Sequence, residues 1–564
     1  MSIPSFSLGV DFGTNSVRTL VVDCRTGAEI AGTVVHYPSG ERGVIMDAAQ
    51  PHLARQHPGD YVPSLVRSVR RAVRAATRVK GFSPDRVVGI GIDTTGSTPL
   101  PIGADGVPLA LTAKFAKHPD AQAWLWKDHT SHAEATEITE LARRRGEPYL
   151  AKCGGVYSSE WFWSKVLHCR RVAPAVFKHA ASWVELADFV PAYITGNMAP
   201  RDIVRSVCAA GHKAMYNSAW GGLPSADFLR ALHPDLADLR GRLYDRAAPS
   251  SVPAGRLTAD IARRVGLPAG LPVATGAFDA HHGAVGSGVA PGTLVKIIGT
   301  STCDITVWPA DEPLPDIPGL CGIVPGSVIP GMYGLEAGQS AVGDIFNWVA
   351  TLAGGRARHA ELTAAAARLR AGQCGLLTLD WHNGNRTVLV NPRLSGLVVG
   401  QTLRTTLADL YRSAIEATAF GARIIVERYE EYGVRIEKIT HCGGIGEKND
   451  LVNQIYADVL GRPIRISRSS QSCALGAAIF GAVVGGAHPT VTAAQRAMVG
   501  FKDLTFKPRP AEQRVYDELF ALYRVLHDAC GGVPGHDEGA ALRTVGRVMP
   551  ALLALRERVT GAAK

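Results

Sequence analysis

Two short runs of glycine and hydroxyl side chains stand between apolar stretches of this chain. Gly13–Thr14–Asn15–Ser16 separates LGVDF from VRTLVVD, and Gly299–Thr300–Ser301–Thr302 separates LVKII from CDITVW. Glycine permits a positive φ and lets backbone N–H groups face outward, and successive N–H groups in a tight turn make an anion-binding concavity. Two such turns, far apart in one chain, predict two similar domains closing on one polyphosphate. Asp11 ends the strand before the first turn. A carboxylate there repels phosphate unless Mg²⁺ lies between, which reads as a magnesium ligand acting through water. The plain alternative is an Asx-turn residue that shapes the hairpin.

Asp279 lies among small residues in GAFDAHHGAVG, residues 276–286. A ligand can come close there, and a lone carboxylate can accept the proton of a hydroxyl as it attacks phosphorus. Asp279 can equally cap the Ala/Gly-rich helix that follows. Lys213 in GHK and Glu336 in GLEAGQS are charges in small-residue settings, suited to gripping sugar hydroxyls. Solvated surface charge is the ordinary explanation of either one alone. His281 and His282 are adjacent, so they point apart on a helix, and no third metal ligand is evident; they read as structural. Arg67, Arg70, Arg71, Arg74 and Arg78 form a helical stripe with no interleaved aromatics, which reads as a solvated face and not as a nucleic-acid surface. No G-x-x-x-x-G-K-[ST] occurs, and no G-x-G-x-x-G opens a helix after a strand, which argues against P-loop NTPases and NAD enzymes.

The elements that must position these residues are legible in outline. LGVDFG, VRTLVVD and EIAGTVVHY predict a β-meander over 6–36. The spacing of Val62, Leu65, Val66, Val69, Val73 and Ala76 predicts a helix over 59–79, followed by the strand VVGIGID. Residues 97–275, rich in tryptophan, read as the substrate-shaping part of the first domain. The pattern restarts near residue 290, with a long helix over 404–432, a strand ending at Cys442–Gly443–Gly444, a helix over 449–460, the strand PIRIS and an Ala/Gly-rich helix over 473–487. The division is 1–290, 291–530, and a linker with an extra helix over 531–564. A chain of 564 residues is too long for one core and fits two domains of about 250 residues. The net charge of +10 is mild at this length and favours anionic small ligands at least as much as nucleic acid. Ten cysteines without a C-x-x-C pair argue against a zinc ribbon or disulfide scaffold. The early first strand leaves no room for a signal peptide, and the stretch 473–487 is too short to span a membrane. A cytoplasmic protein is expected, with no membrane or nucleic-acid partner, and a homodimer is allowed for.

With these residues in view, the chain resembles the FGGY carbohydrate kinases from about Gly9 to about Cys530. The segments that carry the resemblance include DTTGSTPLP (Asp93–Pro101), LWKDHT (Leu125–Thr130), YSSEWFW (Tyr157–Trp163), AGHKAMY (Ala210–Tyr216), SAWGGLP (Ser218–Pro224), GLEAGQS (Gly334–Ser340) and LDWHNGNRT (Leu379–Thr387). The resemblance implies an α/β fold of two ribonuclease-H-like, actin-like ATPase domains with an interdomain cleft. It places the general base at Asp279 and the phosphate turns at Gly13, Thr14, Asn15 and Ser16 and at Gly299, Thr300, Ser301 and Thr302. It places the adenosine site at Gly443, Gly444 and Asn449, and the sugar pocket at Gly96, Ser97, Trp126, Asp128, Lys213, Asp279 and Glu336. Many of these kinases carry arginine two residues after the aspartate of the W-x-D segment, whereas here His129 and Thr130 follow Asp128.

The reaction so implied is transfer of the γ-phosphoryl group of ATP, with Mg²⁺, to the 5-hydroxyl of L-ribulose in L-arabinose catabolism. The alternatives are a kinase of D-ribulose or of 2-ketopentoses broadly, and a non-catalytic actin-like sensor of sugar and ATP.

Overall fold

The computed structural model describes residues 5–533 and 544–561. Its first sheet runs in the order Pro253–Arg256, Pro272–Ala274, Val87–Thr94, Phe6–Phe12, Ser16–Asp23, Glu29–His36, with Ala277–Phe278 also paired to Val87–Thr94. Phe6–Phe12 is antiparallel to the strand that follows it and parallel to Val87–Thr94. The second sheet repeats this plan. Thr293–Ile298 is antiparallel to Thr302–Pro309 and parallel to Lys438–Cys442, and Met332–Ala337, Gly322–Pro325, Ile464–Ser467 and Phe501–Phe506 complete it. The expected restart of the meander is therefore present in its first two strands, whereas the third place is taken by Met332–Ala337, with the earlier strand Gly322–Pro325 outside it. In both sheets a parallel partner returns to the first strand, so the loops at its C-terminal end converge on one edge.

Strand periodicity explains the layering. Phe6, Leu8, Val10 and Phe12 alternate onto one face of the first sheet, where they pack with Leu65, Val69 and Val73 of the helix Tyr61–Ala76. Two positions on that buried face are serines, Ser64 and Ser68, and Ser68 meets Thr19 and Thr33 through its hydroxyl. Val62 and Val66, expected on the buried side, are only half-buried; the five arginines are exposed.

The opposite face of the first sheet is covered by the Ala/Gly-rich helix Ser472–Val484, which comes from the far end of the chain. A side chain on Gly9 would stand 1.7 Å from the Ala474 carbonyl oxygen, and one on Gly91 would stand 1.8 Å from that of Ala477. The same helix crosses Asp279–Gly286, where a side chain on Gly476 would meet the His282 carbonyl at 1.8 Å. Backbone here lies directly on backbone, so glycine is needed for room.

Residues 109–239 build a separate α-rich core that buries Trp124, Trp161, Trp163 and Trp183. The second core extends from Leu294 to Leu555 and so takes in Val548, Leu552 and Leu555 of the last helix, Val548–Thr560. That helix, outside the reach of the family resemblance, is packed on the second domain. Pro550 sits in its first turn, where no intrahelical N–H is lost. Of the expected linker, Gly531 ends the helix Pro510–Gly531, and residues 534–539 lie outside the described residues.

Candidate functional site

Three adjacent parallel strands end in carboxylates. Asp11 is paired in register with Asp93, and Ala277, also opposite Asp93, leads through Phe278 to Asp279. Asp11 Oδ2 accepts from Arg18 Nη1 at 3.0 Å. Burial raises the Asp11 pKa, while Arg18 and Asp93 oppose the rise. Asp93 is wholly buried, and neither of its oxygens has a hydrogen-bond donor among the described residues. Burial, Asp11 and Asp279 together hold its proton well above the usual carboxylate range. Asp279 is half-buried; its Oδ1 accepts from the Ala280 N–H at 2.7 Å. Burial first and Asp11 second push its pKa up to about 7. It occupies the first position of its helix, after Phe278 at the cap, so it is not the N-cap residue. Hard oxygens converging in a dry site suit Mg²⁺.

The two glycine turns sit at the matching edge of each sheet. Gly13 N–H donates to Ser16 O and Gly299 N–H donates to Ser301 O, each at 2.9 Å. Neither Gly13 nor Gly299 has a φ in the left-handed region, contrary to the reason expected for glycine there. A side chain would meet only loose contacts at either position, so glycine leaves the turn bare to an approaching ligand. Trp126 Nε1 donates to Thr14 Oγ1 at 3.0 Å, and Gln56 Nε2 to Thr14 O at 2.8 Å. Asn15 is exposed and Ser16 buried. In the second turn Thr300 is exposed and Ser301 half-buried, while the Thr302 hydroxyl turns inward to the Gln339 N–H at 3.0 Å. Gly443 adopts φ +83° against the strand Thr293–Ile298, and Gly444 has open space around it. The side chain of Asn449 caps the helix Asp450–Leu460 through the Val452 N–H at 3.1 Å.

Lys213 and Glu336 meet across the halves. Lys213 ends the helix Val207–Lys213, which packs on Gly322–Pro325, and its Nζ donates to Glu336 Oε1 at 3.3 Å and Oε2 at 3.2 Å. His212 Nδ1 lies 3.1 Å from Glu336 Oε2, and His212 Nε2 lies 3.0 Å from His281 Nε2. Burial opposes ionisation of Glu336, but Lys213 and His212 hold it well below the usual carboxylate range. Cys208, His212 and His281 are close enough to hold a metal. His212 Nε2 is already engaged by Ser327 at 3.1 Å and His281 at 3.0 Å, and its Nδ1 side faces Glu336 at 3.1 Å. This cluster orients Glu336. His282 points away from His281, toward Ser250, and burial takes its pKa down to about 3.

The remaining expected sugar residues divide. Gly96 packs so close to Phe278 that a side chain would stand 2.1 Å from the ring, which ties this loop to the residue before Asp279. Ser97 is buried beside it, and Trp126 is half-buried against the first turn. Asp128 is not free to meet a sugar. It is wholly buried, and its oxygens are taken up by Arg55, by the Ala54 N–H at 2.7 Å and by the Thr130 hydroxyl at 2.6 Å. Arg55 comes from the strand Gln50–Gln56, remote in sequence from Asp128. Sequence reasoning overlooked Asp93, Arg18, His212 and Gln339 as site residues. Asp93 alone left a signal: an aspartate ending an apolar strand, as Asp11 does.

Comparison with known proteins agrees with this layout. Residues 6–286 match the N-terminal domain model of the FGGY family of carbohydrate kinases, and residues 294–484 match its C-terminal domain model. A protein of Vibrio parahaemolyticus named ribulokinase is 40% identical over 542 residues, covering 92% of this chain and 95% of that protein. One of Mycolicibacterium smegmatis with the same name is 40% identical over 545 residues, covering 94% of each. Among solved structures, a xylulose kinase from Rhodospirillum rubrum superposes with a TM-score of 0.76 at 24% identity, covering 93% of this chain and 98% of that one. Among the described residues, no helix is long and apolar enough to cross a membrane.

Proposed function

The chain belongs to the FGGY family of carbohydrate kinases, and from that premise we propose that it phosphorylates L-ribulose on its 5-hydroxyl at the expense of ATP. The observation that carries the reading is the buried Lys213–Glu336 pair beside Asp279: Lys213 Nζ lies 5.7 Å from the ring of Phe278, the residue before it, and Glu336 lies 3.9 Å from His281 on its helix. A nucleotide switch needs a phosphate cradle but has no use for a second set of buried polar groups opposite a general base. Relatives named ribulokinase, alike over more than nine-tenths of the chain, support L-ribulose among the ketopentoses.

In this reading the two glycine turns hold the triphosphate, with Gly443 and Gly444 leaving space for the adenosine. Asp11, with Asp93 behind it, would hold Mg²⁺, which would screen the phosphate charge when bound. Glu336 and Lys213 fix sugar hydroxyls, and Gly96 and Ser97 close the pocket from below. Asp279 takes the proton from the attacking hydroxyl as the γ-phosphoryl group passes to it in line. Its raised pKa matches this task, because a base poised near neutrality is both ionised and able to retain the proton. Arg18 pairs with the Asp11 carboxylate at 3.0 Å and offsets its charge beside Asp279. Most of the rate comes from positioning and charge stabilisation in a closed cleft.

The test is ADP release with Mg-ATP across the four 2-ketopentoses, ribitol and glycerol. A kcat/KM highest for L-ribulose supports the reading. A higher value for D-ribulose or a xylulose reassigns the substrate, and sugar-independent or absent turnover makes the protein a sensor of sugar and ATP.

A further inference from the structure

Lys165 is a wholly buried ammonium, and among the described residues no carboxylate lies within salt-bridge distance of it. Its three protons go to main-chain carbonyls: Ser97 O at 3.1 Å, Trp124 O at 3.3 Å and Leu125 O at 2.9 Å. Glu185 is buried on the other side of the same loop. Its Oε1 accepts from the Ser97 hydroxyl and its Oε2 from the Thr98 N–H at 2.7 Å. Ser97 is thus held at its carbonyl by a cation and at its hydroxyl by an anion. The two charges come from separate elements. Lys165 lies on the helix Phe162–Val172, and Glu185 ends the strand Ser182–Glu185, which pairs with Pro99–Ile102 directly after the loop.

Burying two charges is costly, and apolar residues of like volume stabilise a core as well or better. Stability is therefore a poor reason for them. What they do in common is fix two segments at the sugar end of the cleft, residues 96–98 and residues 124–126, against each other. Among the described residues, neither side chain, Lys165 or Glu185, touches a phosphate turn, Asp11, Asp93 or Asp279, and the second segment reaches the first turn only through the Trp126 Nε1–Thr14 Oγ1 bond at 3.0 Å. On the Asp279 side the loop is backed by Phe278, which leaves Gly96 no room to yield.

We propose that Lys165 and Glu185 are positioning residues that set which ketopentose is accepted, by holding the Gly96–Thr98 loop rigid against the Trp124–Trp126 segment. Epimers differ by the direction of one hydroxyl. A pocket rejects the wrong one strongly only when its polar groups cannot move to meet it, because they are then left unpaired. The inference rests on the ketopentose-kinase reading above and adds the source of its stereochemical selectivity.

The experiment uses the full chain with Lys165→Met and Glu185→Gln. Steady-state kinetics on the four 2-ketopentoses are set beside ADP affinity from calorimetry and a folding check by circular dichroism. The expected result is a KM for the preferred sugar raised about tenfold or more and a kcat within about threefold. The ADP Kd should stay within about twofold, and preference for the best sugar over the next should fall about tenfold. Glu185→Gln keeps the volume and one acceptor, so it remains informative if Lys165→Met does not fold. An unchanged sugar preference in a folded variant, or a kcat loss with KM unmoved, overturns the inference while leaving the kinase reading intact. A wild type that phosphorylates no ketopentose overturns both.

Discussion

Asp279 makes the pH dependence of the reaction calculable. Burial and the neighbouring Asp11 carboxylate lift its pKa to about 7, against the opposing Ala280 N–H and Arg18. Only the ionised form can act as base, and kcat/KM reports the free enzyme. With that midpoint, roughly a tenth of the molecules carry an ionised Asp279 at pH 6 and roughly nine-tenths at pH 8. Measured as ADP release at low sugar and low Mg-ATP, kcat/KM should rise about tenfold over that interval. Asp279→Asn should abolish this limb and lower kcat by on the order of 10²–10⁴-fold. Stability should move the other way. A folded-state pKa raised above the ordinary 3.8 of an aspartate means that the stabilising, protonated form is fully present below about pH 4 and is lost as pH rises through about 7. At pH 8 the wild type holds a buried carboxylate that the asparagine variant does not. The variant should therefore melt on the order of 1–3 °C higher at pH 8 and level with wild type at about pH 4. A flat wild-type profile from pH 6 to 8, or an unaltered limb in the variant, would refute the assignment of the base.

Further expectations concern the frame of the site. Lys213→Met and Glu336→Gln should each cost about 3–5 kcal/mol in denaturant melts by stranding a buried charge, while the double variant loses less than their sum. Gly91→Ala places a methyl group 1.8 Å from the Ala477 carbonyl and should collapse soluble yield. Gly486→Ala, with φ +75° and open space, should cost only about 1 kcal/mol by chemical denaturation. Ending the chain at residue 543 removes Val548, Leu552 and Leu555 from the second core and should lower the thermal midpoint. Equal midpoints would mean that the last helix contributes nothing to that core.

The parts of the fold written in local pattern were legible. The meander, its repeat after residue 290, and the helices Leu407–Glu431 and Asp450–Leu460 follow from periodicity and turn residues, which act over a few positions. The glycine turns were legible for the same reason, although their glycines serve access and not backbone freedom. What stayed hidden depends on contacts between remote segments. Asp128 looks like a free carboxylate beside Trp126 until Arg55 arrives from another strand. Lys165 lies inside an aromatic-rich segment with nothing local to say that its protons reach Ser97 and Leu125. Glu336 could be matched to Lys213 only through family resemblance, because the partners are more than a hundred residues apart.

The helix Ser472–Val484 has a consequence for how the chain comes to be folded. Strands Phe6–Phe12 and Val87–Thr94 are among the first parts made on the ribosome, yet the cover for one of their faces is encoded near the end. At roughly 5–20 residues per second, the roughly 200 residues between the last strand of the first sheet and the end of that helix take on the order of 10–40 s to appear. During that interval a glycine-lined sheet face stands uncovered on the nascent chain. The first domain completes its fold only after translation has almost finished, so the two halves are committed together and not one after the other.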